Sequence, residues 1–265
     1  MTNEPTSLAE LTDKIKFVLS DLDDTITKEG RIPSESYSAL WTLHHAGIKT
    51  IIVTGRPAGW CEMMARTWPI EGVVGENGAF FFRYTNRQMK RLFTASPDQI
   101  ETQTAKLDVI KNEISKNIPT SRVSSDQFCR MFDLAIDICE DIPPLSADEI
   151  KKIISIFEKH GAQAKLSSIH VNGWFGDYDK LTTVKQILAK EFGLSPQQIQ
   201  SECVYSGDSP NDEPLFSFFK NSVGVRNIEP FLPQLKFKPR FITQHEAAHG
   251  FQELTQKIID LNSRK

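Results

Sequence analysis

Short apolar runs alternate with amphipathic stretches along the first third of the chain. The apolar runs are rich in β-branched and aromatic residues and have the length of strands, whereas the stretches between them carry apolar side chains at helical spacing. This pattern predicts strands over 17–20, 49–53 and 72–82 and helices over 34–45 and 58–66. Strands that alternate with helices of this length indicate an α/β fold, in which right-handed crossovers join a parallel sheet.

The middle of the chain departs from this alternation. One polar and one amphipathic helix are predicted together with three short strands, the helices over 96–118 and 146–160 and the strands over 131–138, 162–167 and 169–175. A mixture of this kind between two parts of an α/β fold indicates an inserted domain. We therefore predict a discontinuous core domain of residues 1–82 and 178–265, which ends in a helix over 247–261, and an inserted α+β domain of residues 83–177.

The strand predicted over 17–20 ends in a cluster of acidic residues. Asp21, Asp23 and Asp24 follow it, and residues that follow a parallel strand lie at the carboxyl edge of the sheet, where α/β proteins bind ligands. Carboxylates this close repel one another unless a cation or a proton offsets their charge. Because Mg²⁺ typically binds one or two carboxylates and several waters, the cluster predicts a magnesium site. The alternative is an acidic loop with a helix cap at Asp24 or Thr25.

The strand predicted over 49–53 ends in a hydroxyl, a glycine and a cation. Thr54, Gly55 and Arg56 follow it. A threonine hydroxyl and the backbone N–H groups of a tight glycine turn donate hydrogen bonds to phosphate oxygens without adding bulk. The segment therefore predicts a phosphate-binding loop with Thr54 as the favoured donor. Arg56 either reaches the substrate or pairs with a neighbouring acid.

Two later segments supply further candidates. An apolar run ends at Gly207 and is followed by Asp208, which is suited to complete a metal shell with Asp21. Asn211 and Asp212 follow in the same loop and are candidates for a phosphate contact or for holding metal-bound waters. Lys180 opens a predicted helix, and on its own it is most simply explained as a solvated surface charge.

Taken in order along the chain, these segments resemble the haloacid dehalogenase superfamily of phosphohydrolases. The matching pattern is Asp-x-Asp-x-Thr, then Thr-Gly-Arg, a lysine before a helix, and Gly-Asp-x-x-Asn-Asp. The Asn-Gly-Ala turn at 77–79, which also suits an ordinary hairpin, and the inserted domain resemble subfamily IIB, with its Cof-like, sucrose-phosphatase-like and trehalose-phosphatase-like members. The resemblance implies a Rossmann-like parallel sheet with helices on both faces and an inserted α+β cap that acts as a mobile lid.

The resemblance also implies a role for each matching residue. Asp21 is the expected nucleophile, which forms an aspartyl-phosphate, and Asp23 is the expected acid and base. Phosphate and substrate are expected to bind to Thr54, Gly55, Arg56, Lys180 and Asn211. The expected Mg²⁺ ligands are Asp21, Asp23 through its backbone carbonyl, Asp208 and Asp212.

Two positions depart from the family's pattern. Asp24 stands where many relatives have glycine, which adds a charge to the turn after the expected nucleophile. Leu181 follows Lys180 where a glycine is common. The expected catalytic residues are all present.

Substrate choice is expected to depend on the cap. On the strand predicted over 169–175, His170, Asn172 and Trp174 alternate with apolar residues and glycine, so their side chains share one face. A histidine, an amide and an indole on one face can bind sugar hydroxyls. The alternative is a half-buried sheet face whose polar groups are satisfied within the protein.

Three functions agree with these features. The first is an Mg²⁺-dependent phosphatase that hydrolyses the phosphate monoester of a small metabolite, expected from the cap type to be a sugar phosphate. The second is a phosphomutase, which returns the phosphoryl group to another hydroxyl of the same sugar. The third is a non-catalytic module that binds sugar phosphates, and the cost of holding so many charges together argues against it. We expect the first.

Composition narrows the partners and the location. The net charge of −3 offers no bulk attraction to nucleic acid or to an anionic membrane. No apolar run has the length that spans a bilayer, and residues 1–7 lack the basic and then apolar pattern of a signal peptide. The four cysteines have no Cys-x-x-Cys spacing. We expect a cytoplasmic protein, with the choice between monomer and homodimer open.

Overall fold

Two β-sheets organise the molecule. The computed structural model describes residues 4–167 and 169–264, so the first three residues of the segment on which the signal-peptide prediction rests lie outside it. Thirteen strands lie in the described residues: β1 (Thr6–Ser7), β2 (Phe17–Ser20), β3 (Lys49–Val53), β4 (Gly72–Gly75), β5 (Phe80–Thr85), β6 (Gln88–Phe93), β7 (Arg122–Val123), β8 (Asp133–Asp137), β9 (Gln163–Leu166), β10 (His170–Trp174), β11 (Cys203–Gly207), β12 (Asn221–Gly224) and β13 (Phe241–Ile242).

Eight α-helices connect or cover these strands within the described residues. They are α1 (Ser34–His45), α2 (Ala58–Thr67), α3 (Pro97–Asn117), α4 (Ala147–Lys159), α5 (Lys180–Lys190), α6 (Pro196–Glu202), α7 (Glu213–Phe218) and α8 (Ala247–Ser263). None of them combines the length and the apolarity that crossing a bilayer requires.

The larger sheet has nine strands in the order β1-β13-β12-β11-β2-β3-β4-β5-β6. Its strands from β1 to β4 in that order pair in parallel, and only β5 and β6 are antiparallel to their neighbours. Crossover connections place β2 at the centre, between β11 and β3. The predicted α/β fold with a mainly parallel sheet is confirmed.

Helices bury both faces of this sheet, which explains why its strands are continuously apolar. Val18 of β2 and Ile52 of β3 pack in one cluster with side chains from α1, α2 and α8. Leu19 and Ile51, the alternate residues of the same two strands, pack in a second cluster with α5, α6 and α7. A fully buried central strand can present charged side chains only beyond its end, and Asp21 is the first residue after β2.

The smaller sheet is antiparallel, with the order β7-β8-β10-β9, and α3 and α4 cover it. Both helices begin with a capping box, formed by Ser96 with Gln99 and by Ser146 with Glu149. Their apolar faces meet the sheet in a separate core that includes Ile114. The predicted mixture of helices and strands in the middle of the chain therefore forms a second sheet with its own layer of helices and its own hydrophobic core.

One predicted strand was wrong in its extent. The apolar run over 72–82 is two strands, β4 and β5, joined by the short turn Glu76–Gly78 and paired antiparallel. Asn77 has a φ of 57° in this turn, the left-handed conformation that asparagine tolerates. The predicted boundary at residue 83 falls inside β5, because β5 and β6 both extend the larger sheet; the smaller sheet begins only after Phe93. The division into two domains otherwise stays a prediction.

Candidate active site

The carboxyl ends of three neighbouring strands meet at the centre of the larger sheet. Because β11, β2 and β3 run parallel, the residues that follow them lie at one edge. Asp21 follows β2, Thr54 follows β3 and Asp208 follows β11. The backbone N–H of Asp21 still donates to the carbonyl of Ser206, at 2.9 Å, so the ladder holds the first residue of the acidic cluster in place.

Lys180 contacts the acidic cluster from the side. Its Nζ lies 2.6 Å from Asp21 Oδ1 and 3.4 Å from Asp212 Oδ1, and its side chain is almost fully buried. Lys180 is the first residue of α5, whose N-cap Asp179 accepts a hydrogen bond from the N–H of Thr182 at 2.7 Å. Lys180 is therefore not a solvated surface charge.

The Asn-Gly turn fixes the start of α5. The carbonyl of Gly78 accepts a hydrogen bond from Thr183 Oγ1 at 2.6 Å. Gly78 has a φ of 112°, and a Cβ added there would lie 2.3 Å from the backbone oxygen of Asp179. Only glycine permits this approach, which places the turn directly against the residue before Lys180.

Asp212 is held from four directions. Its Oδ1 accepts hydrogen bonds from the Tyr205 hydroxyl and from Lys180. Its Oδ2 accepts the N–H groups of Asp208, at 3.1 Å, and Ser209, at 3.3 Å. A Cβ on Gly207 would lie 2.4 Å from Asp212 Oδ2, so the glycine before Asp208 makes room for this carboxylate. These contacts hold Asp212 in place and orient the loop that carries Asp208.

Three buried carboxylates form a group suited to a cation. Asp21, Asp208 and Asp212 each offer an oxygen, and these oxygens lie within 4.8 Å of one another. All the donors are hard oxygen atoms, as Mg²⁺ prefers, and one lysine offsets only part of three negative charges. The donor set therefore fits a divalent metal. The side chain of Asp23 is not part of this group; its expected role through the backbone carbonyl stays a prediction.

The excess of negative charge appears in the pKa values. Burial, and then the charges of Asp212 and Asp23, raise the pKa of Asp21 to about 7, although Lys180 opposes the shift. Burial, together with Asp21 and Asp212, raises the pKa of Asp208 well above its ordinary value. Burial alone would lower the pKa of Lys180, but the two adjacent carboxylates raise it. Without a metal, the site thus favours the charged form of Lys180 and disfavours the ionised forms of Asp21 and Asp208.

The loop after β3 is a short cradle beside Asp21. The N–H of Arg56 donates to Thr54 Oγ1 at 3.0 Å, and Thr54 is buried with its hydroxyl hydrogen still available to a ligand. The Nδ2 atom of Asn77 is buried, lacks a partner among the described residues, and borders the same space. The backbone N–H of Gly55, the hydroxyl of Thr54 and the side-chain amide of Asn77 together form a set of donors suited to phosphate oxygens.

Arg56 pairs with acids in this structure, as one of its two predicted alternatives proposed. Its Nε lies 3.1 and 3.0 Å from the two carboxylate oxygens of Asp23, and its Nη2 lies 3.0 Å from Asp23 Oδ1. Its Nη1 lies 3.0 Å from Oε1 of Glu140, which belongs to the inserted segment. A role in substrate binding remains a prediction for Arg56, as do the roles of the other predicted site residues.

A small cavity lies among these residues. It measures about 30 Å³, and its walls include Asp21, Asp23, Gly55, Arg56, Lys180 and Asn211 from the larger sheet and His170 and Asn172 from the smaller. This volume holds one or two waters. A wider cleft of about 740 Å³ adjoins it at Ser167, Asp208 and Ser209. A phosphorylated ligand therefore needs both spaces, or an opening of the inserted domain.

The three residues proposed on the cap strand have different surroundings. His170 is 3% exposed, and its Nε2 lies 2.9 Å from Glu140 Oε2, outside regular hydrogen-bond geometry. Asn172 donates to Asp133 Oδ2 at 2.9 Å. Trp174 is 1% exposed and stacks on Tyr178 with ring centroids 5.7 Å apart. Trp174 is packed inside the protein, although its Nε1 lacks a hydrogen-bond partner among the described residues, whereas His170 and Asn172 border the cavity.

Several residues at the site were not predicted. Thr25 Oγ1 donates to Asp208 Oδ1 at 3.2 Å, and its place in the Asp-x-Asp-x-Thr pattern was a usable signal. Asn77 also lies in a recognised turn. Glu140 carries no local signal, because its partner Arg56 is 84 residues away in sequence.

Comparisons with known proteins agree with this geometry. Residues 18–116 match the family model of the haloacid dehalogenase-like hydrolases, whereas no curated protein matches the chain. The fold is similar to that of a Thermoplasma acidophilum protein, with a TM-score of 0.73 and 16% identity over 93% of this chain and 99% of that one. A HAD/COF-like hydrolase from Plasmodium vivax gives a TM-score of 0.70 and 18% identity over 96% and 98%.

A sugar phosphatase of HAD subclass IIB is also similar, with a TM-score of 0.62 and 15% identity over 93% of this chain and 99% of that one. The coverage shows that the fold is shared across both sheets, the inserted one included. The matched residues 18–116 contain the first two of the four motifs, and the structure brings the other two to the same sheet edge. Part of the chain, residues 18–116, is therefore similar to the haloacid dehalogenase-like hydrolases, the family that its motifs resemble.

Proposed function

We propose that this protein is an Mg²⁺-dependent phosphatase that hydrolyses the phosphate monoester of a small metabolite through an aspartyl-phosphate on Asp21. The observation that carries the proposal is the contact between Asp21 and Lys180, at 2.6 Å, inside a buried group of three carboxylates. A lysine and a metal offset the charge between an anionic nucleophile and an anionic phosphate, which otherwise repel each other.

In the first step the phosphoryl group moves from the substrate to the enzyme. A carboxylate oxygen of Asp21 attacks phosphorus, the bond from phosphorus to the alcohol oxygen breaks, and Asp23 as a carboxylic acid gives its proton to that oxygen. The alcohol leaves, and Lys180 and the N–H of Gly55 stabilise the charge on the phosphoryl oxygens.

In the second step water replaces Asp21. Asp23, now a carboxylate, takes a proton from a water whose oxygen attacks phosphorus, and the bond between phosphorus and Asp21 breaks. Inorganic phosphate leaves, and Asp21 returns to a carboxylate while Asp23 is protonated again. Closure of the inserted domain over the small cavity limits access to a few waters, which favours one chosen nucleophile.

Asp21 and Asp208 would hold the metal, with Asp212 orienting the loop that carries Asp208. When bound, a divalent ion neutralises the carboxylates and polarises a phosphoryl oxygen as a Lewis acid. The expected metal is Mg²⁺, because every donor is oxygen and the protein leaves room for waters as further ligands.

We propose a sugar phosphate as the substrate. A sugar phosphatase shares the fold, and polar side chains of the smaller sheet, His170 and Asn172, border the cavity beside the reacting groups. Hydroxyl-rich alcohols need such hydrogen-bonding partners. We further propose a cytoplasmic enzyme that works without nucleic acid or membrane, in keeping with its net charge of −3; it acts as a monomer or a homodimer.

The test is phosphate release from a panel of sugar phosphates, nucleotides and phosphoglycerates with Mg²⁺, beside an EDTA control and the Asp21→Asn variant. We expect release from a sugar phosphate that both controls abolish. Conversion of a sugar phosphate to an isomer without free phosphate would instead identify a mutase. The absence of either product from every substrate would reject the proposed function.

A further inference from the structure

Arg56 joins the acid of the proposed reaction to the inserted domain. One edge of its guanidinium, Nε and Nη2, binds the carboxylate of Asp23 in a bidentate pair with distances of 3.0–3.1 Å. The opposite atom, Nη1, donates to Glu140 Oε1 at 3.0 Å and lies 3.8 Å from Asp126 Oδ2. A planar guanidinium that binds a carboxylate through two N–H groups fixes the direction of that carboxylate as well as its distance.

The guanidinium is also buried and covered on one face. Arg56 is only 4% exposed, and its Cζ lies 4.6 Å from the ring centroid of Trp60, so the indole supports one face of the plane. Because Asp23 takes one edge and Trp60 one face, the position of Nη1 decides the rotation of the whole group. Glu140 is the nearest carboxylate to that atom.

The chain builds a rigid turn that presents Glu140. Asp137, at the end of β8, accepts the N–H groups of Cys139 at 2.9 Å, Glu140 at 2.8 Å and Asp141 at 2.9 Å. His170, on the adjacent strand β10, lies 2.9 Å from the second oxygen of Glu140. His170 and Arg56 lower the pKa of Glu140 to about 2. Glu140 is thus a fixed, charged group.

The other end of β8 is attached to the core. The carboxylate of Glu76, in the turn between β4 and β5, accepts the N–H groups of Met131, Phe132 and Asp133 at distances from 2.6 to 3.2 Å. Arg130, just before this segment, donates to the carbonyl of Gly55 at 3.0 Å. One strand of the inserted domain is therefore held against the core at its start and reaches Arg56 just after its end.

From this geometry we propose that Glu140 is a positioning residue for proton transfer to the leaving group. It holds the outer atom of the Arg56 guanidinium and offsets part of its charge, so that Asp23 stays beside the cavity that Asp21 also lines and is able to carry the proton. The proposal rests on the proposed phosphatase activity. It also gives the inserted domain a part in catalysis, because the contact forms only when that domain lies against the core.

The step that depends on Glu140 is the breaking of the bond to the alcohol, where Asp23 supplies the proton. An alkoxide is a poor leaving group and needs this proton, whereas 4-nitrophenolate leaves readily without it. Asp23 also acts on water in the second step, which both substrates share, but kcat/KM reports only the steps up to formation of the aspartyl-phosphate. A loss of positioning should therefore lower kcat/KM for a sugar phosphate and spare kcat/KM for 4-nitrophenyl phosphate. A merely structural role for Glu140 would affect both substrates alike.

The experiment measures kcat and KM of the Glu140→Ala variant with the best sugar phosphate of the panel and with 4-nitrophenyl phosphate. We expect kcat/KM for the sugar phosphate to fall about 10–100-fold, and kcat/KM for 4-nitrophenyl phosphate to change by less than about twofold. Glu140→Gln keeps an oxygen that accepts from Arg56, so it should recover part of the loss. Asp141→Asn, next in the chain and bonded to Ser125 rather than Arg56, is the matched control and should behave as the unmodified protein.

The failures of the two proposals are distinguishable. If the unmodified protein releases phosphate from both substrates but Glu140→Ala lowers both kcat/KM values equally, or neither, the positioning role is wrong and the phosphatase stands. If the unmodified protein releases phosphate from neither substrate, the proposed function fails and the role of Glu140 fails with it. A variant whose loss lies only in KM would assign Glu140 to substrate binding instead.

Discussion

The side chains after β2 and β11 hold more negative charge than Lys180 offsets. Burial raises the pKa of Asp21 to about 7 and that of Asp208 well above its ordinary value, so both carboxyls are difficult to ionise in the folded protein. In the unfolded chain, an aspartate ionises near 3.8. The folded state therefore binds more protons than the unfolded state between these values, and the free energy of unfolding falls as the pH rises through that window.

We accordingly expect Mg²⁺ to raise the melting temperature more at about pH 8 than at about pH 5.5, because the metal binds ionised carboxylates and competes with protons. Differential scanning fluorimetry with and without Mg²⁺ at the two pH values measures this difference. Asp208→Asn should remove most of the Mg²⁺ effect at the higher pH. A metal-induced shift of equal size at both pH values would contradict the assignment.

Asp24 is a third residue whose surroundings disfavour its charged form. It has a φ of 54°, a conformation that favours glycine, and burial together with the charge of Asp23 raises its pKa. We expect Asp24→Gly to raise the free energy of unfolding by about 0.5–1 kcal/mol, because relief of strain and of repulsion outweighs the added freedom of the unfolded chain. Urea unfolding measures the change.

Arg87→Gly is the control for the backbone contribution. Arg87 has a φ of 61° and is exposed, so its replacement tests backbone strain without the buried charge. If the two substitutions change stability equally, repulsion at Asp24 contributes nothing and this interpretation of the site's charge is wrong.

At the scale of elements, the site depends on turns that allow two segments of backbone to approach closely. Gly78 places the turn between β4 and β5 against Asp179, and so sets where α5 begins and where Lys180 points. The asparagine and glycine of this turn were visible in the sequence as a hairpin signal. That the turn also supports α5, about a hundred residues later, was not visible, because no local pattern records which distant backbone a glycine faces.

We expect Gly78→Ala to lower the free energy of unfolding by about 2–5 kcal/mol, the sum of left-handed strain and of the clash with the Asp179 carbonyl. Its turnover should fall as well, since Lys180 must move with the start of α5. Gly47→Ala is the matched control, because Gly47 has a φ of 73° with nothing within 4 Å of the added Cβ. The control should lose only about 1–2 kcal/mol. Equal losses in chemical denaturation would show that the close approach is unimportant.

At the scale of the whole molecule, the core of the site followed from topology. Parallel strands end at one edge, so Asp21, Thr54 and Asp208 could be brought together from the sequence alone. Lys180 was assigned to the same site only from the resemblance to a family, because a lone lysine at the start of a helix does not by itself predict a site. The residues of the inserted domain could not be assigned in this way, because Glu140 and Arg56 meet only after two separately built sheets are placed against each other.

Strand β10 also shows which features a local sequence pattern predicts and which depend on the tertiary arrangement. The alternation of His170, Asn172 and Trp174 correctly indicated a shared face. It did not show that Trp174 stacks on Tyr178, or that His170 faces Glu140, since those partners are set by how the antiparallel strands and the segment after them are arranged.

The most direct test of the account is the chemical identity of the reaction intermediate. Turnover of the best sugar phosphate with Mg²⁺ would be stopped by acid within milliseconds, and the digested protein analysed by mass spectrometry. We expect a phosphoryl group on the peptide that contains Asp21, absent from Asp21→Asn, which also releases no phosphate. Phosphate release that continues in Asp21→Asn, with no phosphorylated peptide in the unmodified protein, would contradict the covalent role of Asp21.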